Sequence, residues 1–239
     1  MLRPIDETEN PTDHGDRILN LLTAEVLFFG ILNKLAMTQP DLDWIQALYK
    51  NEIFSESPLG MNNSQVLLGL SLVNSWFTQK GNGPDQDSIH ELKLDHDHLF
   101  HASGGATSPF GSVYLSEEHL LFEVQTIQVR KWYAEYGLRV EQFQQIPDDH
   151  IGLELAFITQ LAIKSIEVYD RGDGQKLVEL LEAQQKFIKE QPLQWVDRWA
   201  QRVQENARTN FYKGVAQLIA GGIRSLYDDL AIISSKTVV

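Results

Sequence analysis

Gln145-Ile146-Pro147-Asp148-Asp149-His150-Ile151-Gly152-Leu153-Glu154-Leu155 interrupts a chain that otherwise reads as one amphipathic helix after another. Pro147 ends the segment before it, because the residue preceding a proline is pushed out of the helical region. Asp148 or Asp149 can then cap a new helix by accepting a hydrogen bond from a free backbone N–H. That helix runs through Leu153, Phe157, Leu161 and Ile163 towards Asp170. The stretch reads as a tight polar hinge, with a carboxylate and an imidazole exposed at a helix start. On this reading, loss of Asp149 or His150 costs the fold about 1 kcal/mol, the worth of an exposed cap.

The same punctuation recurs outward from the hinge. Downstream, Arg171-Gly172-Asp173-Gly174 breaks the helix, and the next one carries Leu177, Leu180, Leu181 and Phe187. Pro192 starts another, with Trp195, Val196 and Trp199; a long one from Thr209 to Ile233 holds Val215, Leu218, Ile219, Ile223 and Leu226. Upstream, Ser116 caps a helix with Glu117 and Glu118 in its first turn, where the helix dipole favours acids. Its apolar face is Leu120, Val124, Ile127 and Tyr133, and Gly137 stops it. Asp85 to Phe100 is a helix carrying Ile89, Leu92, Leu99 and Phe100. Ser64 caps one through Val66, Leu70, Val73, Trp76 and Phe77, and Asp41 caps a short one containing Ile45 and Leu48. Asp13 caps the first, whose Ile18, Leu22, Val26, Phe29 and Leu32 recur at spacings of three and four.

No segment alternates with period two between hairpin turns, and connections are short. The pattern predicts an all-α protein, a single globular domain of about nine helices spanning residues 1–239. Residues 1–12 form a flexible tail, residues 138–150 a hinge region, and the last few residues fray.

Charge and composition narrow the function. With 33 acidic against 20 basic side chains, the net charge of −13 repels phosphate backbones and argues against nucleic acid as a partner. The absence of cysteine excludes disulfides and thiolate chemistry and suits a reducing compartment. The polar N-terminus has no basic segment followed by an apolar run, so it is not a secretory signal. The apolar patch Val26–Leu32 is far short of the roughly 20 residues that span a bilayer. The protein is expected to stay where it is made.

Two constellations could carry chemistry. His90, His96, His98 and His101 gather with Asp95 and Asp97, and imidazole with carboxylate ligates metals. Helical spacing turns His96 away from the others, so a solvated helix end is expected. His96-Asp97 also evokes metal-dependent HD phosphohydrolases, for which His14 and Asp170 would have to complete the set. Gly172-Asp173-Gly174-Gln175-Lys176 lacks P-loop spacing, and no G-x-S-x-G elbow is present. The second constellation is Asp148, Asp149, His150 and Glu154, for which residue chemistry leaves three readings open. The aspartates are caps and His150 a surface residue; or His150 is a general base oriented by Asp149; or the acidic hinge meets a basic group while Leu153 and Phe157 hold an apolar segment.

Four stretches in order carry a family resemblance: Leu94-Asp95-His96-Asp97-His98-Leu99-Phe100, Ser108-Pro109-Phe110-Gly111-Ser112-Val113-Tyr114-Leu115, Val129-Arg130-Lys131-Trp132-Tyr133 through Gly137-Leu138, and Pro147 to Leu155. Together they resemble the TorD/DmsD family of redox-enzyme maturation chaperones, with His96 standing where the family usually has an aromatic residue. The resemblance implies an all-helical cytoplasmic chaperone, not an enzyme, with no cofactor, metal or catalytic residue of its own. Such a protein binds the twin-arginine signal peptide of a molybdenum-cofactor oxidoreductase. It holds the apoenzyme until cofactor is inserted, which delays export. Pro147, Asp148, Asp149, His150 and Glu154 would belong to the signal-peptide site and Tyr114 to its rim. The family also implies a monomer or homodimer, in some cases domain-swapped, and weak guanine-nucleotide binding, without membrane insertion. The alternative is a helical, metal-dependent HD-like phosphohydrolase.

Overall fold

Caps and glycines set the helix limits in the computed structural model, which describes residues 11–101, 107–116, 124–140 and 146–237. Residues 1–10 of the expected tail, Glu117, Glu118, Leu120, Gln145 and the fraying of residues 238–239 lie outside these, while Pro11 and Thr12, expected in the tail, are helical. Among the described residues there are ten α-helices and no strand: α1 Pro11–Met37, α2 Leu42–Lys50, α3 Ser64–Gln79, α4 Gln86–His96, α5 Gly111–Leu115, α6 Val124–Glu135, α7 Ile151–Asp170, α8 Gly174–Glu190, α9 Val196–Asn206 and α10 Asn210–Thr237.

Three starts follow directly from the sequence. Asp41, Asp85 and Asp173 each accept the backbone N–H three residues on, at 2.9, 2.9 and 3.0 Å. Others shift. Asn63 rather than Ser64 caps α3, its Oδ1 accepting from Gln65 and Val66. Asp13 lies inside α1, which is already helical at Pro11. The expected helix to Phe100 changes pitch at His96, and Asp97–His101 form one turn of π-helix. Ser116 follows α5 as its C-terminal cap, with extended φ and ψ of −85° and 149°. Pro192–Gln194 are a 3₁₀ turn ahead of α9.

The core is built on two long crossings, α3 on α10 and α1 on α7, with α8 lying against both α7 and α10. α10 is apolar nearly all round where it is enclosed: Val215, Leu218, Ile219, Ile223, Leu226 and Leu230 are buried completely. α3 and α10 meet backbone to backbone. A Cβ on Gly69 would sit 2.8 Å from the carbonyl oxygen of Gly214, and one on Gly214 2.6 Å from that of Gly69. Only glycine permits that approach. Trp76, Phe77 and Phe211 interlock beside it, with ring centroids 5.1–5.8 Å apart.

α1 contains a longer apolar stretch than Val26–Leu32. Gly15–Met37 is long and apolar enough by composition to cross a membrane. In the fold that apolarity serves the core, burying Ile18, Leu22, Phe28, Phe29, Leu32 and Leu35. The stretch also carries Glu25, fully buried, which accepts a short hydrogen bond from the Gln184 amide of α8. The same amide donates to the Ile158 carbonyl of α7 at 3.1 Å, so one glutamine ties three helices. Burial pushes the Glu25 carboxyl well above its ordinary range, so the pair is a neutral one.

Candidate functional site

The hinge turns inward. Pro147 is buried, and Asp148, Asp149, His150 and Glu154 are 3%, 1%, 4% and 1% exposed. The expectation of an exposed carboxylate and imidazole is therefore corrected. A buried polar turn must be satisfied within the protein, and each hinge residue has a specific partner.

Asp149 does not cap α7. Its carboxylate accepts the Ser112 N–H of α5 at 2.6 Å and the Thr126 hydroxyl of α6 at 2.8 Å. Its carbonyl accepts the Gly111 N–H at 3.0 Å. The Ile151 N–H donates to the Pro109 carbonyl at 2.8 Å, and Phe110 and His150 form an antiparallel bridge. So the hinge anchors the start of α5, 37 residues upstream. The missing side chain of Gly111 lets that start press on Trp195: a Cβ there would lie 2.8 Å from the indole nitrogen.

His150 is the cap of α7. Its Nδ1 accepts the Gly152 N–H at 3.0 Å, which makes Nδ1 the unprotonated nitrogen. Asp149 gives its carboxylate to Ser112 and Thr126 instead of orienting the imidazole, so the pair lacks the geometry of a base and its orienter. Gly152 in the motif has a packing reason too, since a Cβ there would run into Met37 of α1. The Gly152 carbonyl accepts from Asn33 of α1 at 2.6 Å.

Asp148 is held by a side chain. Arg130 of α6 places Nε and Nη2 at 3.1 and 2.7 Å from the same oxygen, Oδ2. The Tyr133 hydroxyl donates to the Asp148 carbonyl at 3.0 Å. Burial above all, with the nearby acidic groups adding to it, pushes the Tyr133 phenol well above its ordinary value, so it remains a donor. Glu154 lies on the inner side of α7, its Oε2 without a hydrogen-bond partner. Burial, then the charge of Asp149, raises its carboxyl well above the usual range, against a smaller opposing pull from the Trp195 indole. Glu154 is thus kept neutral beside the hinge.

α6 is consequently oriented by polar needs. Thr126, Arg130 and Tyr133 share the face that meets the hinge. Of the expected apolar face Tyr133 is buried, but Val124 and Ile127 are 60% and 48% exposed. As polar partners of the hinge Thr126, Arg130 and Tyr133, with Ser112 and Asn33, are what the sequence reading missed; Ser112, Arg130 and Tyr133 do fall in two of the four stretches that carried the resemblance.

On the outer side of the hinge lies a groove of about 650 Å³. Met37, Tyr133, Leu138, Val140, Ile146, Leu153 and Phe157 line it, with Arg139 and Gln160 also on its wall. Phe157 forms its rigid floor, its ring 4.9 Å from Tyr133 and 4.6 Å from Phe187. The apolar pair named from sequence, Leu153 and Phe157, is thus brought together in one trough. Tyr114 is not part of it. It stacks on Trp195 at 5.5 Å and lies under Arg202, lining a separate pocket of about 360 Å³ with Arg198. Burial pushes its phenol up to about 12.

The other constellation is also buried in part. His90 and His98 are exposed, but Asp95 and His96 are fully enclosed, so the solvated helix end is corrected for these two. The Asp95 carboxylate accepts the N–H groups of Arg208 and Thr209 at 3.0 and 2.9 Å and the Thr209 hydroxyl at 2.7 Å. It holds the two residues that lead into α10, whose first turn is capped by the Thr209 hydroxyl accepting the Tyr212 N–H at 3.2 Å. His96 packs between the rings of Phe100 and Tyr212. Among the described residues no three histidine or carboxylate side chains gather in a metal-binding group.

Comparison with known proteins points one way. The model of the nitrate reductase delta subunit family matches residues 67–201, which takes in all four stretches. Chaperone protein TorD of Vibrio vulnificus (strain YJ016) is 32% identical over 190 residues, covering 74% of this chain and 86% of that protein. Chaperone protein TorD of Psychrobacter sp. (strain PRwf-1) is 25% identical over 194 residues, 80% of this chain and 83% of the relative. The match to chaperone protein TorD of Vibrio parahaemolyticus is 29% over 111 residues and spans 46% of this chain and half of that protein.

Proposed function

The chain belongs to the family of TorD chaperones and nitrate reductase delta subunits, and on that premise we propose that it is a cytoplasmic, non-enzymatic chaperone for the maturation of a molybdenum-cofactor oxidoreductase. It binds the client's twin-arginine signal peptide, or the apo form of the client, and holds it until cofactor is inserted. The observation that carries this reading is the groove beside the hinge. It offers a preformed apolar trough two residues from a carboxylate, and a twin-arginine signal is a basic pair followed by an apolar stretch.

The residues divide the task as follows. Leu153, Ile146 and Phe157 remove apolar peptide surface from water, worth about 25 cal/mol for each Å² buried. The net charge of −13 speeds encounter with a basic peptide, and salt weakens that steering. Asp149 ties α6 to the start of α5 and His150 caps α7, so they act by holding in place the α6 and α7 walls of the trough. Nothing in this division requires a covalent step.

Calorimetric titration tests the reading. Signal peptides of the host's molybdoenzymes are titrated, each beside a version with both arginines replaced by glutamine. Saturable binding that depends on the arginines is expected, and Leu153→Asp in the groove is expected to abolish it while leaving the helical content unchanged. Wild-type protein that is folded and binds no such peptide overturns the signal-peptide reading.

A further inference from the structure

Asp148 and Asp149 are adjacent, yet their partners differ in kind. Asp149 is bound by a backbone N–H and a buried hydroxyl; the first cannot leave without undoing the start of α5, nor the second without moving α6. Asp148 is bound by Arg130, whose side chain is 39% exposed while that of Asp148 is 5% exposed. A guanidinium on a long, half-solvated arm can swing into water and be replaced. The Asp148 carboxylate, in contrast, cannot follow it, because the Asp148 carbonyl is fixed by Tyr133.

The surroundings match an incoming arginine. Tyr133 contacts both features at once, its hydroxyl on Asp148 and its ring in the groove wall. Ile146, two residues before Asp148, lines the same groove. An apolar segment seated against Ile146, Leu153 and Phe157 therefore brings any arginine just before it to the Arg130–Asp148 pair. Both guanidiniums offer the same fork to the same oxygen, so the exchange conserves the charge pair.

Building on the signal-peptide reading above, we propose that Arg130 is an internal stand-in for the client's arginine: it occupies Asp148 in the free chaperone and is displaced when the peptide binds. Arg130 thereby sets specificity. A peptide must bring its own guanidinium to replace the one it expels, and one without an arginine gains nothing at Asp148. The pair also lowers affinity by the fraction of time Arg130 holds the carboxylate.

The test compares wild type, Arg130→Gln and Asp148→Asn by calorimetry, with a synthetic peptide carrying an arginine pair ahead of an apolar run and its diglutamine counterpart. Arg130→Gln is expected to bind the arginine peptide roughly tenfold tighter than wild type, the gain from removing a competitor present nine-tenths of the time. Its affinity for the diglutamine peptide stays unchanged. Asp148→Asn is expected to lose the distinction between the two peptides. Wild-type binding with no gain, or a loss, in Arg130→Gln overturns the stand-in and leaves the signal-peptide reading in place. No binding by either protein overturns both. Should Arg130→Gln not fold, nitrogen-15 NMR of the wild-type arginine side chains decides. The Arg130 Nε–H is expected to lose its protection from solvent exchange on saturation with the arginine peptide, and an unchanged signal overturns the proposal.

Discussion

Asp95-His96 and Asp149-His150 are the same dipeptide at two helix junctions. In both, the aspartate reaches across to another helix and takes its free N–H groups: those of Arg208 and Thr209 at the start of α10, and that of Ser112 in α5. In both, the acid is buried. The junctions then part company. His96 is closed in by Phe100 and Tyr212, with Asp95 bound wholly by α10 and the residues leading into it. His150 caps its own helix, and the neighbouring Asp148 is bound by an arginine that is partly in water and lies behind a groove. The same two residues thus make a sealed joint in one place and a joint beside an open groove in the other. What separates them is the accessibility of the next partner out.

The comparison can be broken most directly at the two acids. Asp95→Ala orphans three donors, two of them buried, and Asp149→Ala two buried ones, so each is expected to cost about 3–5 kcal/mol in urea denaturation. This replaces the cost of an exposed cap expected from sequence. Peptide affinity separates them: the folded fraction of Asp149→Ala loses binding, and that of Asp95→Ala keeps it. Equal affinity in both would remove the hinge from the site.

A second contrast concerns protons. Glu154 at the hinge and Glu25 in the core both have carboxyls raised above the ordinary 4.5 by burial. The folded state therefore binds protons that the unfolded chain releases. Stability is highest at or below the unfolded value and falls as pH rises towards the folded one, by up to about 1.4 kcal/mol per pH unit for each carboxyl. Urea midpoints measured from about pH 5 to about pH 8 should decline in wild type, and Glu25→Gln and Glu154→Gln should each flatten that decline. A wild-type midpoint that rises over the same range would contradict the neutral state of both groups.

Smaller effects sharpen the picture. His150→Ala removes the α7 cap and is expected to cost about 1–2 kcal/mol, whereas His150→Asn, itself a good cap, should recover most of it. Failure of asparagine to recover stability would mean that the imidazole ring matters more than its nitrogen. Asp97→Asn, in the exposed turn after His96, is expected to change stability by less than about 0.5 kcal/mol, and a larger loss would reveal a role for Asp97 that its exposure does not suggest.

Much of the fold was legible because it rests on local rules. Asp41, Asp85 and Asp173 announce three helices, and spacings of three and four mark the buried faces of α1, α3, α8 and α10. α6 was misread for a physical reason. Its inner face carries Thr126, Arg130 and Tyr133 because the hinge needs donors, and apolar periodicity cannot report a face selected for hydrogen bonds. The hinge itself was located, but its burial was not foreseen. An aspartate before a helix looks the same whether it caps that helix or one distant in sequence. Leu153 and Phe157 are legible as an apolar pair on α7, while most of the remaining wall comes from α1, α6, residues 138–140 and Ile146, which no local pattern connects. Tyr114 was placed near the site by motif and lies instead against α9.

The paired glycines at the crossing of α3 and α10 bear on when this protein acquires its shape. Gly69 and Gly214 are far apart along the chain, and their contact closes the core on a helix that runs to Thr237. While the polypeptide is still being synthesised, α3 has no surface on which to bury Val66, Leu70 and Val73 until α10 has emerged. Contacts so distant in sequence form late and slow folding. A nascent chain of this protein therefore exposes apolar surface for nearly the whole of its translation, so the ribosome-bound form has itself to be shielded from aggregation before it can shield anything else.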